Sequence, residues 1–214
     1  KQTFEAEVAD RTPRDSFYHC LKNSAHQFHN KQEEDHYILA GYPWFKCRAR
    51  DMFVSLPGLT LAVDEIGEFE DVMETARKAI NNYIKGEPIG CKIYEMDDPD
   101  VLLWAVWALQ QYAKETSREQ CRAKYGSLLE EIIDFIRQRK HDNLFLHENG
   151  LLYANGADRA ITWMNSTVNG RPVIPRTGYI VEINALWYNA LRFIADLVRE
   201  GGNGLLADSL DAQA

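Results

Sequence analysis

Arg50 and Asp51 stand side by side, just after the aromatic stretch Gly41-Tyr42-Pro43-Trp44-Phe45. An adjacent guanidinium and carboxylate offer both donors and acceptors, which is what a ring of vicinal hydroxyls requires. Aromatic rings suit the apolar C–H face of a pyranose. Residues of these types could therefore build a sugar platform. On pattern alone the plainer reading is an aromatic plug in a loop, because Gly41 and Pro43 exclude a regular helix interior.

A second group lies more than 100 residues further on, in Thr162-Trp163-Met164-Asn165, Pro175-Arg176 and Val181-Glu182-Ile183-Asn184. Glu182 and Asn184 fall near the start of a strongly apolar helix, where acids and amides suit the free N–H groups and the helix dipole. Glu182, Arg176 and Trp163 could instead face a polar pocket at the helix end. Other chemistries find less support. His19, His26 and His29 read as a solvated histidine face, since no carboxylate is evident around them, and no metal is expected. Met52, Met73, Met96 and Met164 read as core filler. Ser16, Ser24 and Ser55 lack a nucleophile elbow, and no phosphate loop occurs. No cofactor is expected.

The elements that must position these groups are mainly helical. Phe69, Val72, Met73, Ala76, Ala79, Ile80 and Tyr83 form one stripe that Gly86 ends. Asp98-Pro99 reads as an N-cap and first helical residue. The helix it opens is apolar on both faces, so burial on both sides is expected. Ser117 with Gln120 resembles a capping box before Leu128–Ile136. Ile183 to Val198 forms another broad stripe, and a weaker one runs through Phe17, Leu21, Ala25 and Phe28. Strand signals are short: Phe145–His147 and Leu151–Tyr153 around Asn149-Gly150, a tight-turn pair, and perhaps-extended residues Tyr37–Ala40. The class is all-α with long loops and a small β-hairpin.

Net charge is −8, which argues against a nucleic-acid surface, and no apolar run is long enough for a membrane span. Cys20, Cys47, Cys91 and Cys121 are scattered without a CxxC motif. They read as reduced thiols, hence a cytoplasmic location.

Taken in order, Gly41–Phe45, Arg50-Asp51, Leu56-Pro57-Gly58-Leu59, Asp100–Trp104, Gly150-Leu151-Leu152, Thr162-Trp163-Met164, Pro175-Arg176 and Val181–Leu191 resemble the glycogen debranching enzymes, in their amylo-α-1,6-glucosidase domain. The resemblance covers roughly residues 35 to 200. It implies an (α/α) barrel of six helical hairpins, a glucoamylase-like toroid. The implied reaction is inverting hydrolysis of α-1,6-linked glucose at branch points of glycogen or another branched α-glucan. Arg50, Asp51 and Asp100 would then hold the glucose, Trp44 and Trp163 would wall it, and Arg176 and Glu182 would line the same pocket. The position after Trp163-Met164 is the family's general-acid Asp.

Two residues depart from that pattern. The acid position is Asn165, and an amide has no titratable proton to give. The usual Trp-Gly before Arg-Asp reads Arg48-Ala49. Inversion also needs a base ~6.5–9.5 Å from the acid, and in the family it lies after the part represented here. Twelve helices of ~11–12 residues with long loops need more chain than 214 residues. The expectation is thus the first half of a barrel, inactive alone, its uncovered face closed by a second copy as a homodimer. It divides into a leading helix or linker (1–35), a partial barrel (36–200) and a tail or truncated helix (201–214). The alternatives are a non-catalytic α-glucan-binding relative and a helical interaction scaffold.

Overall fold

Apolar periodicity and caps decide where the chain coils. The structure, a computed structural model, describes residues 12–42 and 44–214. Most of the expected leading segment's first third, and Pro43 of the aromatic stretch, lie outside the described residues. Among the described residues the helices are α1 (Phe17–His26), α2 (Ala49–Leu59), α3 (Ile66–Lys85), α4 (Val101–Glu115), α5 (Arg118–Arg137), α6 (Val181–Glu200) and α7 (Gly204–Gln213). The chain is mostly helical, at 54%.

Helix α4 occupies the centre, as its two apolar faces require. Val101, Leu102, Leu103, Ala105, Val106, Ala108, Leu109 and Tyr112 are all buried. It packs against α2, α5 and α6. Phe69 of α3 stacks on Tyr112 at 5.1 Å between ring centroids, and Tyr125 of α5 meets Tyr112 edge-on at 5.4 Å. The Tyr112 hydroxyl accepts from Gln120 Nε2 at 2.9 Å and donates to Glu70, so this buried phenol is satisfied. Ser117 caps α5 by accepting from Gln120 N at 3.0 Å. The reciprocal half of the capping box is replaced by the bond to Tyr112.

Gly86 ends α3 at φ +72°, in the left-handed region, with Glu87 N donating to Asn82 O at 2.8 Å. That is the terminus a glycine permits at low cost. The residues after α6, expected as a tail or truncated helix, form α7. Ala207 and Leu210 bury against the core, and Arg192 and Arg199 of α6 reach Asp211 of α7.

The β-structure consists of four two-stranded pieces rather than one hairpin. β1 (His29–Gln32) pairs antiparallel with β2 (Asp35–Ile38), across the expected boundary at 35/36. This hairpin carried little sequence signal. Its strands are mostly polar, and its turn places Glu33 at φ +57°, an unusual residue type for that conformation. β3 (Cys47–Arg48) pairs parallel with β4 (Ile93–Tyr94), and β7 (Thr167–Val168) antiparallel with β8 (Arg171–Pro172). The expected hairpin is β5 (Leu144–Leu146) with β6 (Leu152–Ala154). Its tip is wider than a two-residue turn: His147 N donates to Leu151 O, Gly150 N donates to His147 O, and only Gly150 takes positive φ. No helix among the described residues is long and apolar enough to cross a membrane.

Asn184 joins this hairpin to α6. Its amide accepts from Leu152 N at 2.8 Å and donates to Leu152 O at 2.9 Å, as a neighbouring strand would. Asn184→Ala leaves both backbone groups of the buried Leu152 unpaired. It should destabilise the fold by about 1–3 kcal/mol, read as a lower urea midpoint at unchanged slope.

Candidate functional site

Arg50 lies in the first turn of α2, and its side chain is almost wholly buried, 8% exposed. A buried guanidinium needs acceptors, and the segment before α4 supplies them. Nε donates to Asp100 Oδ2 at 2.7 Å, Nη2 to Asp100 Oδ1 at 2.9 Å, and Nη2 also to Asp98. The Asp100 pair is bidentate, the strongest geometry available to arginine. Asp98 accepts in turn from Arg159 Nη2 at 2.9 Å, while Arg159 Nη1 reaches Asp97. Trp104 Nε1 donates to Asp100 at 3.2 Å.

Burial alone would lower the pKa of Arg50; Asp100 and Asp98 outweigh it and hold the group above its ordinary value. Burial pushes the Asp98 carboxyl up, against Arg50 and Arg159. Asp98 is therefore not the helix cap that Asp98-Pro99 suggests. The N-cap position of α4 is Asp100, and neither carboxylate bonds the helix terminus. A guanidinium in reach is a better partner for a carboxylate than an orphan N–H. Likewise Arg50 does not fork with Asp51; its acceptors are the two aspartates about 50 residues on.

The second arm is built around α6. Arg176 Nη1 donates to Thr162 Oγ1 at 2.7 Å and to Glu182. The Arg176 hydrogen bond, followed by weaker contributions that include one from Trp163, holds Glu182 below the ordinary carboxylate range despite partial burial. Thr162 is fully buried at φ +62°, a costly conformation for a β-branched residue. Its hydroxyl contact with Arg176 helps to hold that conformation. Trp163, next in the chain, is thereby turned outward and is 67% exposed.

The two arms meet at a cavity of about 470 Å³, within the usual range for small-molecule sites. Arg50, Asp51, Asp100, Trp104, Trp163 and Glu182 contribute polar and aromatic lining, with Phe28, Leu39 and Val54 supplying apolar wall. A recess of about 240 Å³ shares Ala40, Arg50, Asp51 and Trp163 with it and adds Phe45, Arg48 and Asn165. Asp51 and Asn165 thus border one space although 114 residues separate them (165 − 51). Arg176 stands behind Glu182 rather than in the lining, and Trp44 is 81% exposed outside both linings. Its neighbour Phe45 takes the wall position, with Arg48 stacked 5.6 Å from the Phe45 ring centre and paired to Glu95.

The profile of the amylo-alpha-1,6-glucosidase family matches residues 22–204. The chain belongs to that family. No curated protein and no solved structure gave a significant match. The match links this domain to glycogen-debranching glycosidases. It begins within α1, so it includes the β1–β2 hairpin as well as both arms of the site.

Within this amylo-alpha-1,6-glucosidase-family domain, Asp97, Asp98, Arg159 and Trp104 were not singled out as site-supporting residues from sequence. The signal was present: three aspartates within Asp97-Asp98-Pro99-Asp100, ahead of an apolar helix, call for a cation.

Removing that cation should be costly. Arg50→Met leaves two buried carboxylates without their main partner and should lower stability by about 3–5 kcal/mol in chemical denaturation. For Glu182 the sign is the ordinary one for a depressed carboxyl. Its ion pair contributes stability above the unfolded-state pKa, and this is lost as pH falls through the lower folded-state value. A carboxyl-resolved NMR titration should find Glu182 below an ordinary glutamate, and Arg176→Gln should move it upward.

Proposed function

We propose that the cavity holds the terminal glucose of an α-1,6 branch on glycogen or a similar α-glucan, within a domain built as part of an (α/α) six-hairpin toroid. The observation that carries this reading is the convergence of Asp51, Trp163, Asn165 and Glu182 on adjoining recesses in a member of the amylo-alpha-1,6-glucosidase family. Trp163 offers an exposed ring face for the apolar side of the sugar, opposite the apolar wall of Phe28 and Leu39. Asp51 and Glu182 accept from hydroxyls. Arg50 orients Asp51 and Asp100, and Arg176 orients Glu182.

The proton is what this set lacks. Family hydrolysis with inversion needs a general acid beside the glycosidic oxygen and a base across the ring. Asn165 occupies the acid position and can donate only an amide hydrogen bond. Glu182 is ionised at neutral pH through Arg176, which suits an acceptor and not an acid. We therefore read this chain as binding branched α-glucan without cleaving it alone. Asn165 also favours the second reading, a relative that keeps the sugar platform and has given up catalysis.

Isothermal titration with a singly α-1,6-glucosylated maltooligosaccharide tests the proposal. The chain should bind it in preference to the linear oligosaccharide, and Asp51→Ala should weaken binding roughly 10–100-fold, the loss of a hydrogen bond to a charged group. No glucose should be released. In a chain that also carries the general base, Asn165→Asp should raise hydrolysis by ~10²–10⁴-fold. Turnover by the unaltered chain that Asp51→Ala abolishes would refute the inactivity. Binding that ignores Asp51→Ala would favour the interaction scaffold.

A further inference from the structure

A group of histidines and carboxylates outside the cavity joins the β1–β2 hairpin to helix α3. In the hairpin register His36 sits opposite Lys31, two residues from His29, so His29 and His36 share one face. Glu68 and Asp71 are three residues apart on α3 and so share a face of the helix. His36 Nδ1 lies 3.8 Å from both Glu68 Oε2 and Asp71 Oδ2. The ligand atoms of His36, Glu68 and Asp71 all fall within 4.8 Å of one another. His29 Nδ1 comes within 3.3 Å of the same Glu68 oxygen. His36 is fixed at its backbone, where N donates to Thr75 Oγ1 at 2.9 Å.

His29 supplies the observation that points to a ligand. Its Nε2 lies 3.2 Å from the carbonyl oxygen of Leu59, which lies outside the cluster. A carbonyl only accepts, so Nε2 carries the hydrogen. In the neutral ring Nδ1 then holds a lone pair aimed at a carboxylate oxygen, and two lone pairs face each other. A positive species between them removes the repulsion. A proton on His29 would serve that one contact. It would leave His36 and Asp71 at 3.8 Å, too far for hydrogen bonds to Glu68 and to His36 yet gathered around one point. One ion answers all four groups. Metal-bound histidines almost always donate their second N–H to a carbonyl, carboxylate or water, and Leu59 fills that part here.

We propose that His29, His36, Glu68 and Asp71 form a binding site for a divalent transition-metal ion of the Zn²⁺ type. Two imidazoles with two carboxylates, and no thiolate, suit Zn²⁺ or Co²⁺ better than the all-oxygen cations Ca²⁺ and Mg²⁺. The reading of His29 as part of a solvated histidine face is thereby revised. The partners that change it, His36, Glu68 and Asp71, come from other elements of the fold. The ion would clip the hairpin to α3. Phe28 and Leu39, which flank the hairpin, line the sugar cavity, so the clip would fix that wall while taking no part in chemistry. The site stands whether or not the cavity binds glucan.

Calorimetric titration of the metal-stripped chain with ZnCl₂ near neutral pH tests it. One ion should bind per chain, with Kd roughly micromolar or tighter. Since loss of an outer-shell partner typically costs 10–100-fold in affinity, His36→Ala and Asp71→Asn should each cost roughly that or more. His19→Gln, on the distant Asp15 pair, should cost nothing. Zn²⁺ should raise Tm of the parent and of His19→Gln, and not of the two ligand variants. Asp71 is largely exposed, so its variant tests the site even if His36→Ala folds poorly. No stoichiometric uptake at roughly 100 µM Zn²⁺, or uptake indifferent to Asp71→Asn, overturns the proposal. An imidazolium signature for His29 in metal-free protein, together with no uptake, would assign the gap to a proton.

Discussion

The buried guanidinium of Arg50 is the constraint on which the rest of the site depends. Desolvating a charge of this kind costs several kcal/mol, and only acceptors in fixed positions offset it. Asp98 and Asp100 provide them, and in doing so they lock the first turn of α2 against the start of α4. Asp51 follows Arg50 in the same turn, so its direction is set by the same lock. Arg159 extends the network to the segment that leads to Trp163. The two arms of the cavity are therefore tied through charges, with two guanidiniums among three carboxylates. An apolar cluster of equal volume could hold the helices as firmly. It would not specify which way Asp51 and Asp100 point.

The sequence made the helices legible because each buries one stripe or, for α4, its whole surface. Gly86 and Ser117 announced their termini through local chemistry that tertiary contacts did not override. Asp98-Pro99 misled for the opposite reason. A residue pattern for capping describes a helix end in isolation, and Arg50 arrives from a distant element with a stronger claim on the carboxylate. The β1–β2 hairpin was missed because Glu33 supplies its turn and its strands lack alternation. The site residues came into view by resemblance, in two segments. What joins them, Asp98 through Arg159, depends on spatial contacts that no linear spacing encodes. Trp44 shows the converse: aromatic character suggested a wall, but the turn after Tyr42 leaves its ring outside both linings while Phe45 turns in.

The second arm uses strain where the first uses charge. Thr162 in the left-handed region costs of order 1–3 kcal/mol, and such a conformation survives only where its surroundings over-determine it. Arg176 holds the Thr162 hydroxyl and the Glu182 carboxylate at once. Gly156 lies against the Arg176 backbone so closely that a Cβ there would come within 2.4 Å of Arg176 O. The segment from Gly156 to Glu182 is thus fixed at its middle and its end, and Trp163 and Asn165 are carried between those points without large buried contacts of their own.

This arrangement bears on why an amide stands at the acid position. A carboxyl remains protonated near neutral pH only where its surroundings are apolar and free of cations. Asp100 is gripped by Arg50, and Glu182 by Arg176. Asp51 lies in the first turn of α2, where the helix dipole favours an anion. Around Asn165 the recess includes Arg48 and Arg50, so a carboxyl placed there would meet two guanidiniums as well as Trp163. Arg48 stands where the family has a tryptophan. With that ring the surroundings would be more apolar and would raise an acid's pKa; with Arg48 they oppose it. The departures at positions 48 and 165 are therefore one change seen twice. A cavity that gains a cation at its mouth is a poor setting for a general acid, and an amide there loses little that the cation had not already taken away.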